Sequence, residues 1–113
     1  DLNIDHQICN KALITACRPT NTNNFLKKIF FFEILSSTEW NFKSDKFSPE
    51  IFVKISKLHL KAKIKAMKQY SAELKKFPHP RSLSNIENLA KIRGSHVGFH
   101  YAEAFELGYE KIH

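Results

Sequence analysis

The segment FLKKIFFFEIL, residues 25–35, constrains the fold of this chain more than any other stretch. Its central residues, Ile29 to Phe32, would place apolar side chains on both faces of an extended chain. A strand with two apolar faces is typical of a parallel sheet covered by helices on each side. The short length and the Phe and Ile content favour a strand over a buried helix. We therefore predict a strand with neighbours on both sides.

The rest of the chain alternates helical and extended patterns. Apolar residues at helical spacing predict a helix from Asp5 to about Cys17, which Asp5 could cap and which ends before Pro19. Further predicted elements are a polar loop at Thr20–Asn24, a loop at 36–50, a strand at 51–56, a helix at 57–76, a helix with a capping box at Ser84 and Glu87 that stops at Gly94, and an edge strand at 101–107. Strands separated by helices indicate an α/β layered domain.

Length and composition bound the class of protein. The 113 residues suffice for one small domain, and 42% hydrophobic with 26% charged residues is an ordinary globular balance. No apolar run approaches the roughly 18 residues of a membrane span. Cys9 and Cys17 are too far apart on one helix for a disulfide. They are expected to be small buried hydrophobes, in a reducing and therefore cytoplasmic setting.

The net charge of +7 raises the question of a polyanionic partner. Many of the lysines fall between Lys54 and Lys76, where they alternate with the apolar stripe of the predicted helix. This placement favours a solvated helix face, so no nucleic-acid partner is expected. The alternative is a non-catalytic basic module that contacts nucleic acid or an anionic surface.

Three stretches of the sequence carry a family resemblance: the opening DLNIDHQICNKALITACRP, the segment FEILSSTEWNF, and KAMKQYSAELKKFPHPRSLSNIENLAKIRGSHVGFHYAEAFEL. In this order they resemble the second metal motif, a strand-to-loop segment and the C-terminal region of the LmbE/PIG-L family of zinc-dependent deacetylases. The likeness runs nearly from Asp1 to Leu107. It implies a Rossmann-like domain with a mainly parallel sheet, of which residues 1–113 would be the C-terminal portion.

The resemblance also implies a reaction. Family members remove the N-acetyl group from N-acetylglucosamine-type sugars or sugar conjugates, using Zn²⁺ or another divalent metal. A His and an Asp of an HPDD-type motif hold the metal together with a later His, and the motif's other Asp is the general base. No HPDD-type stretch occurs in this sequence. The expectation is therefore an incomplete and catalytically inert piece of such an enzyme, or else a degenerate member kept as a non-catalytic partner.

The resemblance assigns His6 as the metal ligand that this sequence contains. Asp5 either caps the helix or supports the ligand as part of the catalytic group, and both roles stay open. Asn3 departs from the family pattern, because many relatives carry a His there. Asn cannot titrate, which puts the identity of the general acid in doubt.

Substrate-binding residues are expected after the strand at 29–32. Ser37, Thr38, Glu39 and Trp40 follow the end of this strand, where open α/β sheets place their ligands, and a Trp face suits a sugar. A surface loop with one anchoring Trp is the alternative. Arg93 falls in a family-like element, although a structural ion pair would explain it equally well. The expected partner is an acetamido sugar, and a homo-oligomer is possible.

Overall fold

The computed structural model describes residues 2–20, 25–42 and 46–112. Most of the predicted loop at Thr20–Asn24, together with residues 43–45 of the predicted loop at 36–50, lies outside the described residues. The helices and strands, in chain order, are α1 (Ile4–Ala16), β1 (Lys28–Phe32), β2 (Ile51–Lys54), α2 (Lys57–Lys68), α3 (Leu83–Ser95) and β3 (Ala102–Glu110). The kinds of element and their order agree with the prediction from sequence.

The sheet is antiparallel, so the prediction of a Rossmann-like, mainly parallel sheet is wrong. Its three strands are arranged in the order β1-β3-β2, and β3 is antiparallel to both of its neighbours. Phe105 lies at the centre of the sheet, opposite Phe32 on one side and Ile51 on the other. Two helices, not one, lie between β2 and β3, so this connection is not the single-helix crossover that joins neighbouring parallel strands.

The positions of β1 and β3 within the sheet are the reverse of those predicted. The strand β1 lies at an edge, and on one of its faces Phe30 is 40% exposed and Phe32 65% exposed. The prediction of a strand covered on both faces is therefore wrong for the described residues. The strand β3 was predicted at an edge but is central, and its Ala102 and Ala104 are buried.

The core lies between the sheet and the pair α2 and α3. Leu60 of α2, together with Ile86 and Ala90 of α3, is buried there against the alanines of β3. The core is small: the chain exposes 8602 Å² of surface, against about 6,400 Å² for a compact protein of its 13.2 kDa mass. Apolar side chains thus remain exposed on α1 and β1.

The helix α2 ends earlier than predicted, at Lys68 rather than Lys76. Ser56 and His59 form a capping box at its start. At its end, the backbone N–H of Gln69 donates to Ala66, and the N–H of Tyr70 donates to Met67, so the last turn tightens and the chain leaves the helix. The segment that follows runs as turns to the start of α3.

The helix α3 begins and ends differently from the prediction. Ser82, rather than Ser84, is the N-cap, and its hydroxyl accepts the backbone N–H of Asn85. Gly94 does not stop the helix but lies inside it. A Cβ atom at Gly94 would lie 2.5 Å from the Phe99 carbonyl oxygen, so this position needs glycine for close backbone approach. The left-handed glycine is Gly98, with φ +77°.

The helix α1 packs against no other described helix or strand and buries none of its residues. Asn3, not Asp5, is its N-cap. Both cysteines are free thiols, but Cys9 is exposed and Cys17 only half-buried, so the prediction of two buried cysteines is wrong. Among the described helices, none has both the length and the apolar character that a bilayer crossing requires.

Candidate functional site

A cavity of about 560 Å³ opens between the sheet and the helices α2 and α3, and the N-terminal end of α1 reaches it. Its floor is apolar and includes Ile86, Leu89 and Phe105. The polar part of its lining comprises Asn3, His6, Tyr70 and three acid–base pairs, Glu33 with Arg93, Glu73 with Arg81, and Glu103 with Lys63. An apolar cavity with a few convergent polar groups is the usual form of a small-molecule site.

The most enclosed of the three pairs joins α3 to the end of β1. Arg93 Nε and Nη2 donate to Glu33 Oε1 and Oε2, each at 2.7 Å. The two side chains are only 17% and 15% exposed. The hydrogen bonds that Arg93 donates to Glu33 raise the pKa of Arg93, although burial opposes this rise. The ring of Phe47 lies under the Arg93 guanidinium at 5.5 Å. The guanidinium is therefore held by two partners, the Glu33 carboxylate and the Phe47 ring.

The other two pairs lie nearer to solvent. Arg81 Nη1 donates to the carboxylate of Glu73, and Arg81 Nε donates to the Leu35 carbonyl oxygen at 3.3 Å. Arg81 thus links the turn after α2 to the loop after β1. Lys63 of α2 donates to Glu103 of β3 at 2.6 Å. The Lys63–Glu103 pair connects α2 to β3, whereas Glu73 and Arg81 both lie in the segment between α2 and α3.

The first turn of α1 holds His6 at the cavity. The side-chain oxygen of Asn3 accepts the backbone N–H groups of Asp5 at 2.9 Å and of His6 at 3.2 Å. This is the usual N-cap arrangement, and it occupies two N–H groups that a helix start leaves without partners. Asp5 is exposed and does not line the cavity, whereas His6 is half-buried and does. Asn3 therefore acts on His6 through the backbone.

The loop after β1 is held by its own hydrogen bonds. The Thr38 hydroxyl accepts the N–H of Ile34 at 2.9 Å, and the Glu39 carboxylate accepts the N–H of Ser36. Ser37 is buried, being only 3% exposed.

The ring of Trp40 makes an edge contact with His79, with 5.5 Å between the ring centroids. The ring is 39% exposed and lies outside the cavity. Trp40 therefore anchors this loop to the segment that precedes α3.

The structure brings together only part of the predicted site. His6 and Arg93 line one cavity, whereas Asp5 and the predicted sugar-binding residues Ser37, Thr38, Glu39 and Trp40 do not line it. Arg93 is engaged with Glu33, which is the ion-pair alternative that the sequence left open. The substrate roles of these residues stay predictions.

The donor set does not by itself make a zinc site. Within residues 2–20, 25–42 and 46–112, no group of three or more His, Cys, Asp or Glu side chains is placed to hold a metal ion. A hydrolytic zinc needs about three protein ligands, so His6 could supply one corner and the described residues do not supply the others. No catalytic step through a metal follows from them.

Two further histidines, His79 and His96, make contacts within the fold. His79 Nδ1 accepts the backbone N–H of Arg81 at 3.0 Å, and the ring of His96 makes an edge contact with Phe52. Sequence reasoning did not single out Glu33, Lys63, Tyr70, Glu73 or Glu103. For Glu33 a signal existed, because it is the first charged residue after the apolar strand.

Comparison of the chain with protein-family models, with curated proteins and with solved structures finds no match.

Proposed function

We propose that this sequence belongs to a zinc-dependent amide hydrolase of the LmbE/PIG-L type, which removes the N-acetyl group from a glucosamine-like sugar or sugar conjugate. The resemblance of the three sequence stretches motivates the proposal. The observation that carries it is the position of His6, the motif-matched histidine, in the lining of the cavity between the sheet and the helices α2 and α3.

The residues of this chain have distinct parts in the proposed enzyme. His6 would be one zinc ligand, and Asn3 would hold its backbone through the helix cap. Asp5, next in sequence to His6, would support the ligand or a neighbouring acid. A bound zinc with an open position supplies the hydrolytic chemistry in enzymes of this class. At least two further ligands would have to come from outside the described residues.

The cavity suits the proposed substrate in shape and polarity. A pyranose has an apolar ring face and a polar edge, and the cavity combines the apolar floor of Ile86 and Leu89 with polar groups at its rim. Arg93 would then hold Glu33 in place beside the sugar rather than bind the sugar directly. The proposed setting is the cytoplasm, and a second copy of the chain in the assembly is an open option.

The test is acetate release by the longest natural open reading frame that contains this sequence. The protein, loaded with one zinc per chain, is incubated with N-acetylglucosamine and its glycosides, and acetate is measured enzymatically. The His6→Ala variant is expected to release none, and the His100→Ala variant, altered at an exposed histidine outside the cavity, is expected to match the parent. A fully zinc-loaded parent that releases no acetate from any acetamido sugar would refute the proposal.

The alternative is a basic binding module, and the exposed lysines of α2 favour it. Lys57, Lys61, Lys65 and Lys68 are all exposed on this helix. Binding of a polyanion through them would weaken steeply with salt, because each neutralised phosphate releases counterions. Fluorescence anisotropy with labelled DNA between low and physiological salt tests this reading, and absent or salt-insensitive binding would dismiss it.

A further inference from the structure

The charges in the cavity lining are balanced one to one. Its three cations, Lys63, Arg81 and Arg93, are each paired with a carboxylate that also lines the cavity. The chain as a whole, by contrast, has 18 Lys and Arg against 11 Asp and Glu. The excess positive charge therefore lies outside the cavity, and the cavity does not share the basic character of the sequence.

The Arg93–Glu33 pair is also the most firmly held of the three. Arg93 and Glu33 meet in a two-bond, side-by-side arrangement, which is the strongest geometry for this pair of groups. The other two cations each join separate elements, so moving either one would loosen the cavity wall. An anion that pairs with one of these cations must displace its carboxylate partner, and it also meets the repulsion of the displaced group.

From this arrangement we propose that the cavity binds an uncharged ligand with an apolar face, and that its ion pairs exclude phosphorylated or carboxylated analogues. Within the proposed function, on which this inference rests for its choice of sugar, the ligand is a neutral acetamido sugar or glycoside rather than a sugar phosphate. The apolar floor contacts the ring face of the sugar. The ion pairs disfavour charged ligands and so select uncharged ones.

The test measures the binding of two probes to the full-length natural protein by calorimetry. The probes are N-acetylglucosamine and N-acetylglucosamine 6-phosphate. We expect the neutral sugar to bind about tenfold or more tightly than the phosphate, because juxtaposed like charges are costly at an enclosed site. The Glu33→Gln and Glu103→Gln variants each release one cation, so both should narrow this preference. The matched control is Glu87→Gln, which removes the same charge from an exposed pair with Lys91 outside the cavity.

Each outcome of this test decides the inference. The inference would be overturned if the parent protein bound N-acetylglucosamine 6-phosphate as tightly as the neutral sugar or more tightly, or bound neither sugar. It would also be overturned if all three variants changed the preference for the neutral sugar equally. Glu103→Gln keeps the test valid if Glu33→Gln fails to fold, because the Lys63–Glu103 pair is the more exposed. Neutral-sugar preference without acetate release would refute the proposed function alone, and acetate release chiefly from the phosphate would refute only the inference.

Discussion

The guanidinium of Arg93 donates two hydrogen bonds of 2.7 Å to the two carboxylate oxygens of Glu33, which precedes it by 60 residues. This contact ties the residue that follows β1 to the helix α3, and it lies in the wall of the cavity. It is the most enclosed ion pair among the described residues. Its partners connect an edge strand to a helix that packs on the sheet, so its loss should affect both the fold and the cavity.

Replacing Arg93 by Ala should destabilise the protein. The change leaves the half-buried Glu33 carboxylate without its partner, at a cost of about 2 kcal/mol in the free energy of unfolding. Urea unfolding of Arg93→Ala, Glu33→Ala and the double variant measures the coupling between the two residues, which we expect to be about 1–2 kcal/mol.

The control for this cycle is the exposed pair Glu87 and Lys91, for which a much smaller coupling is expected because solvent screens it. Equal coupling in the two cycles would contradict a special role for the enclosed pair.

Replacing Thr38 by Val should cost about 1–2 kcal/mol of stability, because the N–H of Ile34 loses its acceptor in a half-buried loop. Thr38→Ser keeps the hydroxyl and should be close to the parent protein. Thermal unfolding of both variants measures the difference. Unchanged stability of Thr38→Val would leave the predicted substrate contact, rather than the fold of the loop, as the role of this hydroxyl.

Replacing Gly94 by Ala should destabilise the protein by about 2 kcal/mol or more, because overpacking a close backbone contact forces the neighbouring chain to move. The contact is with Phe99 and Tyr101, whose carbonyl oxygen and N–H nitrogen would lie 2.5 Å and 2.9 Å from the new Cβ atom.

Gly98→Ala is the matched comparison for this variant. Its φ of +77° strains an alanine, but the new Cβ meets nothing within 4 Å, so a cost of about 1 kcal/mol is expected. Chemical denaturation that ranked Gly98→Ala as the more harmful variant would contradict the contact at Gly94.

Replacing Phe32 by Lys should reduce aggregation of the chain. Phe32 is 65% exposed on an edge strand, and exposed apolar edges template intermolecular pairing, which an edge lysine opposes. Phe42→Lys is the control, because Phe42 is 89% exposed but lies in a loop. Light scattering measured against protein concentration should show a clear decrease in aggregation for Phe32→Lys and a smaller decrease for Phe42→Lys. An equal decrease in aggregation for the two variants would show that exposed hydrophobicity alone, not the strand edge, drives aggregation.

Local patterns in the sequence predict the elements of this fold, but not their arrangement. The helical spacing and the apolar runs identify three helices and three strands, because these signals depend on neighbours in the chain. The direction of β3 depends on two helices in succession between it and β2, and its central place depends on pairings that no local pattern contains. The error at Asp5 has a local cause, since Asn3 is as good a cap and lies two residues earlier.

The candidate site is predictable only in part for a similar reason. His6 is identified through a motif-like stretch, and the structure places it at the cavity. The partners of Arg93 and Arg81 are not predictable, because Glu33 and Glu73 meet them only after the sheet and the turn after α2 have formed. The shorter α2 matters here, because its end at Lys68 releases Tyr70 and Glu73 to line the cavity.

The role of His6 as a zinc ligand is tested most directly by the zinc content of the full-length natural protein. This content is measured by inductively coupled plasma mass spectrometry after dialysis at controlled free zinc. We expect one tightly held zinc per chain in the parent protein and in His100→Ala. Zinc binding should be at least about tenfold weaker in His6→Ala, because a site with about three protein ligands loses one of them. Zinc held by His6→Ala as tightly as by the parent protein would contradict the role of His6 as a metal ligand.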